Sequence, residues 1–393
     1  MKVCIISNLY PPHARGGAEQ VVVKTVEGLR NAGHEVVVIT TAPKGEAKVT
    51  TQNGVRVYRF TPKNVFFYTD ARRHSMFVRL LWHIIDTYNF SSTKIVQDIL
   101  MHEKPDVVHT HNLMGVGFGI PKAVRSLGIY HVHTVHDVQL VEPSGIILKL
   151  EEDSYRYTGF PTLIYSFAMK QRMGSPDVVI SPSQFLLDFY RSRKFFRKSR
   201  LVLLRNPVSL VSSTQHIKSD RCRFLYLGQV EAHKGTLLSV LAAQALPKGI
   251  DWELTIAGDG EALHGLKQEV GNNDRIHVLG RVARDQISHL FAHSDVTIVP
   301  SLCYENSPTV IFESFAHGRP VLASKVEGIE ELIEEERNGK TFTTGDVKDL
   351  TGAMMWAATH KDQLQAMGKR ARSNVDTLSQ AVYMQTLEGY YRT

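Results

Sequence analysis

Residues 300–320, PSLCYENSPTVIFESFAHGRP, decide how the chain is to be read. The run just before them, Val296–Val299, is short, apolar and β-branched, as a buried strand is, and Pro300 ends it. Ser307-Pro308 predicts a helix start, with Ser307 as the N-cap and Pro308 at the first helical position. A strand end therefore meets a helix N-terminus, where free amides and the positive end of the helix dipole favour anions. Glu305 and Asn306 lie in the loop before that terminus, and Glu313 stands about two turns beyond Glu305. A carboxylate can accept hydrogen bonds from two hydroxyls at once, as a sugar or ribose presents them. Taken alone, the two glutamates read as readily as a dipole-friendly charge and an exposed helical one.

Outward from this stretch the second half keeps one grammar. Strands are predicted at 224–227, 253–257, 275–279 and 320–323, and helices at 235–246, 260–270, 284–293, 308–317, 346–359 and 361–374. The first half repeats it. Strands are expected at 2–7, 35–40, 55–60, 107–110, 131–135 and 177–181, and helices at 18–32 and 76–102, the latter with Leu80, Leu81, Ile84, Ile85 and Tyr88 along one face. Alternating strands and helices, with strands apolar on both faces, predict parallel sheets covered on both sides. The polar segment 206–220 is the best boundary. The fold class is thus α/β, with two Rossmann-like, doubly wound parallel-sheet domains at 1–205 and 221–375 and a terminal helix within 376–393. Ligands in such sheets bind beyond the carboxyl ends of the strands, so a cleft between the domains is the expected site.

A second motif supports that site. Gly228-Gln229-Val230-Glu231-Ala232-His233-Lys234-Gly235 follows the first strand of the second half. A strand, a loop carrying Lys, and a Gly opening a helix suit a phosphate, although the loop is not a Walker A motif; a surface lysine in a turn is the bland alternative.

Together these motifs resemble glycosyltransferase family four. The resemblance rests on Glu305…Glu313 with Ser307-Pro308 and Gly318-Arg319-Pro320, on Gly228…Lys234-Gly235, on Ala257-Gly258-Asp259-Gly260 and on Leu279-Gly280. In the first half it rests on Tyr10-Pro11-Pro12…Gly16-Gly17-Ala18-Glu19 and His136-Asp137, so that it spans about residues 1–375. It implies the GT-B fold and a retaining transfer from a nucleoside diphosphate sugar, with no cofactor and no bound metal. Glu305 would then hold donor-sugar hydroxyls, Glu313 the ribose and Lys234 the diphosphate. Gly16 and Gly17 would let backbone amides approach the diphosphate. His136 would lie beside the reacting sugar, and Leu279 and Gly280 would meet the base. Gln229 stands where the family often has Arg, and a neutral amide is a weaker partner for a diphosphate. Arg205 or Arg281 could substitute. By the same resemblance the terminal helix would cross back to the first domain.

Composition narrows the rest. The 393 residues carry 46 Lys+Arg and 39 Asp+Glu, a net +7. Residues 1–210 hold 27 basic and 16 acidic side chains (+11), which leaves 19 and 23 (−4) for residues 211–393. Cys4, Cys222 and Cys303 are scattered, which opposes a disulfide framework and fits a reducing compartment. No apolar run is long enough to span a membrane, so a cytoplasmic protein is expected, peripheral on the inner face of the cell membrane if it touches one. Arg191-Ser-Arg-Lys-Phe-Phe-Arg-Lys-Ser-Arg200 and the aromatic stretch 65–77 are the candidates for contact with anionic lipid. No nucleic-acid motif is present. The histidines of 109–111 and 131–136 lack the carboxylate or thiolate partners and regular spacing of a zinc site. Gly115-Val116-Gly117-Phe118-Gly119 is not the dinucleotide fingerprint, which argues against an oxidoreductase. A sugar phosphorylase or epimerase on the same fold, or a non-catalytic binding module, is the remaining alternative. Donor, acceptor and linkage are not encoded in any motif.

Overall fold

The structure is a computed structural model and describes residues 1–13, 16–208, 216–373, 375 and 378–392, with Arg72 described by its backbone alone. Ala14 and Arg15 of the Pro/Gly loop, 209–215 of the predicted connector, and 376, 377 and 393 of the C-terminal segment lie outside the described residues. The chain forms two compact units. One comprises Met1–Ile146, Asp153–Pro207 and Gln380–Thr393, the other Ile147–Glu152 and Val208–Ser379.

The first unit is built on eight strands: β1 (Lys2–Ile6), β2 (Glu35–Thr41), β3 (Lys48–Gln52), β4 (Val55–Phe60), β5 (Val107–Thr110), β6 (Tyr130–Thr134), β7 (Val178–Ser181) and β8 (Arg200–Leu203). Their order is β3-β4-β2-β1-β5-β6-β7-β8. All neighbours are parallel except β3, which runs antiparallel to β4. The second unit holds β9 (Cys222–Leu227), β10 (Trp252–Ala257), β11 (Ile276–Gly280), β12 (Val296–Val299), β13 (Val321–Ser324) and β14 (Gly339–Phe342), in the order β11-β10-β9-β12-β13-β14. Central strands such as VCII of β1 and VTIV of β12 are buried at every position, because helices cover both faces of the sheet. Strand order reverses between β1 and β5 in one sheet and between β9 and β12 in the other. Each reversal opens a crevice at the carboxyl ends of those strands.

Several elements depart from the sequence expectation. β3, β8 and β14 are edge strands outside the predicted set; β8 carries the short apolar run LVLL at 201–204, whereas KVTTQ of β3 is almost wholly exposed. The stretch 76–102 is not one helix. It breaks at Tyr88-Asn89 into α2 (Met76–Thr87) and α3 (Phe90–Glu103), because Asn89 caps α3 by accepting the Ser92 N–H at 2.9 Å. Ile147–Glu152 lies within the predicted first domain, yet it clusters with the second unit. Main-chain bonds hold it there, from Lys149 N–H to Leu302 O and from Tyr304 N–H to Ile147 O, both 2.9 Å.

The basic segment 191–200 also reads differently in three dimensions. Phe195 and Phe196, expected to meet lipid, are each 3% exposed. They pack on each other and on Tyr190, and the Lys170 ammonium lies 5.2 Å from the Phe195 ring. The aromatic pair belongs to the packing of the first unit, which leaves the segment as a charged rim with no apolar side chains to insert.

Candidate active site

In the second unit two loops leave the neighbouring strands β9 and β12 and meet. After β9 the chain makes one turn of 3₁₀ helix, Ala232–Lys234, then turns at Gly235 into the helix Thr236–Gln244. Gly235 has φ +68°, and a Cβ there would lie 1.9 Å from the Pro300 carbonyl oxygen at the end of β12. Only glycine permits that approach. The loops are tied by Leu302 N–H to His233 O at 2.9 Å. As a result the Lys234 ammonium donates to Glu305 Oε1 at 2.6 Å, and Ser301 Oγ donates to the same oxygen at 2.7 Å. Burial alone would draw the ammonium's pKa down, but the Glu305 carboxylate holds it above its ordinary value. The pair is therefore ionic.

The loop after β13 completes this wall. Glu305 N–H donates to Glu327 O at 3.1 Å, and a Cβ on Gly328 would fall 1.8 Å from Glu305 O. Lys149, on the segment that joins this unit, donates to Glu327 Oε1 at 2.6 Å. The helix after β12 is Thr309–Ala316 and begins one residue later than predicted. Pro308 takes the cap position, and no side chain caps the end. Ser307 Oγ, expected as the cap, is instead buried with no hydrogen-bond partner, which marks it as a group awaiting one. Asn306 is half-buried beside it. Glu313, also half-buried, is the fifth residue of the helix, just over one turn from its start.

At the far side, Gly228 N–H donates to Ala257 O (3.0 Å) and Gly258 N–H to Gly280 O (2.8 Å). The ends of β9, β10 and β11 thus form a continuous backbone edge, finished by the half-exposed Leu279 and by Gly280. Gln229 is exposed, and its carbonyl accepts the Tyr226 hydroxyl at 2.5 Å. Of the substitute cations, Arg205 lies in the first unit and donates to Pro182 O at 3.4 Å, while Arg281 is exposed after β11.

The first unit has its own polar centre at the β1/β5 crevice. Gly16 precedes α1 (Gly17–Asn31), and its N–H donates to Glu19 Oε2 at 2.7 Å. That amide is directed at a carboxylate, which leaves Gly17 as the candidate of the pair for an incoming anion. On β5 and β6 and just beyond their ends five histidines interlock. His111 Nδ1 and His136 Nε2 are 2.9 Å apart. His109 bonds Tyr391 Oη at 2.6 Å and Thr134 Oγ1 at 2.7 Å, and Thr110 Oγ1 bridges His131 and His133. Burial holds His136 down at about 4 and His133, aided by the His136 charge, at about 3. Burial also pushes the adjacent Asp137 carboxyl up to about 6. A cavity of about 20 Å³, bounded by His111, His133, His136, Asp137, Gln139 and Tyr190, lies against them.

Comparison with known proteins fixes what these crevices belong to. Residues 15–211 match the family model "Glycosyltransferase Family 4" and residues 212–374 the model "Glycosyl transferases group 1". The chain belongs to glycosyltransferase family four. An uncharacterized glycosyltransferase of Methanocaldococcus jannaschii is 26% identical over 353 residues, 86% of this chain and 84% of that one. Sucrose-phosphate synthase of Thermosynechococcus elongatus has the same fold, with TM-score 0.76, 19% identity and coverage of 99% and 98% of the two chains. HepE of Anabaena, solved in complex with UDP-glucose, matches with TM-score 0.71, 18% identity and 99% coverage of each. The protein is therefore a glycosyltransferase of the GT-B fold.

Against that identity the structure joins Lys234 to Glu305 in the second unit, which also carries Asn306, Ser307 and Glu313 and, along its backbone edge, Gln229, Leu279 and Gly280. Gly16, Gly17 and His136 fall in the first unit. Sequence reasoning missed Ser301, which orients Glu305, and the Glu327-Gly328 turn behind it. Glu327-Gly328 follows the strand next to β12, and a glycine just past a central strand was the available signal.

Proposed function

We propose that this glycosyltransferase moves a sugar from a nucleoside diphosphate sugar to a saccharide, lipid-linked or small-molecule acceptor, retaining the anomeric configuration and needing no resident metal. The observation that carries this is the Lys234–Glu305 pair, 2.6 Å apart at the reversal of strand order. Breaking the bond from the sugar to the diphosphate leaves positive charge on the ring and negative charge on the leaving group. A fixed cation and oriented amides stabilise the latter as it forms. Lys234 is that cation. Glu305, oriented by Ser301, accepts from donor-sugar hydroxyls, and Glu313 from the ribose. The partnerless Ser307 Oγ donates to a phosphate oxygen, and the edge at Leu279-Gly280 lies against the base. His136, neutral at physiological pH, hydrogen-bonds the reacting sugar rather than acting as a cation. The UDP-glucose complex of HepE supports a nucleotide sugar as the donor class. Polysaccharide assembly on a lipid carrier would make the enzyme a peripheral protein on the inner face of the cell membrane.

Release of nucleoside diphosphate from a panel of nucleotide sugars tests the proposal. One donor should turn over, and Lys234→Ala should lower kcat/KM by about 10²–10³-fold. Turnover and thermal shift with none of the donors, or only a twofold loss in the variant, would remove Lys234 from the leaving-group site.

A further inference from the structure

Two helices of the first unit are turned the wrong way round for a water-facing surface. In Phe160–Met173 the buried positions are Thr162, Ser166, Met169 and Met173, while Phe160, Leu163, Ile164 and Phe167 are 53–69% exposed. The exposed set falls at i, i+3, i+4 and i+7, which is the complete apolar stripe of an amphipathic helix. α2 does the same. It buries Trp82, Asp86 and Thr87 and leaves Phe77, Leu80, Leu81 and Ile84 48–78% exposed, again at i, i+3, i+4 and i+7. The inward side of α2 is fixed, because Trp82 Nε1–H donates to Phe66 O at 2.9 Å. The two helices are joined at their ends. Arg172 Nε donates to Thr87 O at 2.9 Å, and its guanidinium stacks 4.6 Å from the Tyr88 ring. Eight large apolar side chains left in water on two neighbouring helices mark an interaction surface.

The charge around the stripes selects the partner. Arg79, Lys170 and Arg172 lie on these helices, and the only acidic residue in either sequence, Asp86, is 1% exposed. Arg73, at the N-terminal side of α2, has its side chain 82% exposed and is only loosely paired, 3.5 Å from the Asp70 carboxylate. A second copy of the chain on the same face would bring these cations against each other. An anionic lipid surface would pair them with headgroups while the stripes enter the acyl boundary.

We propose that α2 and the Phe160–Met173 helix form the docking surface of this enzyme for an anionic bilayer. The surface stands on its own side chains and does not depend on the donor chemistry proposed above. Flotation with vesicles of phosphatidylcholine containing about one-third phosphatidylglycerol, at low salt, tests it. The wild-type chain should float and lose binding as salt rises. Leu80→Ser combined with Phe167→Ser should reduce partitioning at least tenfold and leave soluble nucleotide-sugar turnover and the unfolding midpoint unchanged, since both side chains already face water. Arg197→Ala with Lys198→Ala, in the segment whose phenylalanines are buried, should lose far less. Wild-type protein that fails to float, a double serine variant that floats as well as wild type, or a concentration-dependent dimer abolished by the serine pair would each overturn the proposal, the last in favour of a second copy.

Discussion

Lys234 and His136 are both half-buried and end in opposite charge states. Burial disfavours the charged form of each. Lys234 keeps its proton because Glu305 lies 2.6 Å away, whereas the imidazoles around His136 have hydroxyls and one another as partners. His109, His111, His131, His133 and His136 are all held below their ordinary pKa, with burial as the leading cause. A group neutral in the fold but protonated near pH 6.5 when unfolded gives stability that is present above pH 6.5. That stability is lost as pH falls toward the folded value. Two carboxyls, Asp86 buried and Asp137 half-buried, act oppositely. Burial raises Asp86 to about 7 and Asp137 to about 6, so each takes up its proton in the fold before the unfolded chain does. Burial also holds His83 and His317 at about 4, so seven histidines against two aspartates leave five more protons on the unfolded chain between about pH 6 and 4.5. Stability should therefore fall on acidification by about 1.4 kcal/mol per pH unit for each net proton. Thermal unfolding followed from pH 7.5 to pH 5 checks the sign, and a midpoint that stays level or rises would mean the imidazoles are charged in the fold.

At the scale of the elements, the site depends on how closely two loops approach. Gly235→Ala would place its Cβ 1.9 Å from Pro300 O at a backbone φ of +68°. The left-handed conformation alone costs about 1–2 kcal/mol, and the clash moves Lys234 relative to Glu305. We expect a loss of roughly 2 kcal/mol or more in stability together with weaker donor binding. Gly249→Ala, with nothing within 4 Å of its Cβ, should stay within about 0.5 kcal/mol. Equal unfolding midpoints for the two variants would show that the approach is not tight. The same closeness explains what was legible in the sequence. β9 and β12 announced themselves as apolar runs, and Lys234, Glu305 and Ser307 stood just past their ends. The edge strands β3 and β14 carried no such run, because one side of an edge strand needs no partner. Asn89 splits α2 from α3 through a side-chain cap inside an otherwise helical pattern, and α2 turns its apolar stripe outward. Periodicity finds a stripe but does not say what it faces. Ser301 and Glu327 were invisible because each acts through another residue rather than through a motif.

Over the whole molecule, chain order and spatial order part company at two places. Ile147–Glu152 joins the second unit and Gln380–Tyr391 packs on α1 in the first, and main-chain bonds or packing between segments distant in sequence leave no local signal of either. Charge does not predict them: the basic half and the acidic half each contain a segment of the other unit. The C-terminal helix has an energetic consequence. Tyr383, Met384, Leu387 and Tyr391 are buried in the core cluster that also contains Val22, Val26 and Leu29 of α1. Tyr391 Oη bonds His109, and Tyr383 Oη lies 3.2 Å from Thr25 Oγ1. Burying a large apolar side chain is worth about 1.5–3 kcal/mol, so four contribute roughly 6–12 kcal/mol. That is comparable with the entire stability of a domain, about 5–15 kcal/mol. Ending the chain at residue 379 should therefore unfold the first unit, although the residues removed are the most distant from it in sequence. The second unit, whose core clusters contain none of the four, should keep its own transition. Calorimetry of the truncated chain should show the loss of one transition and the survival of the other. Two transitions at wild-type temperatures would mean that the helix merely rests on a sheet already stable without it.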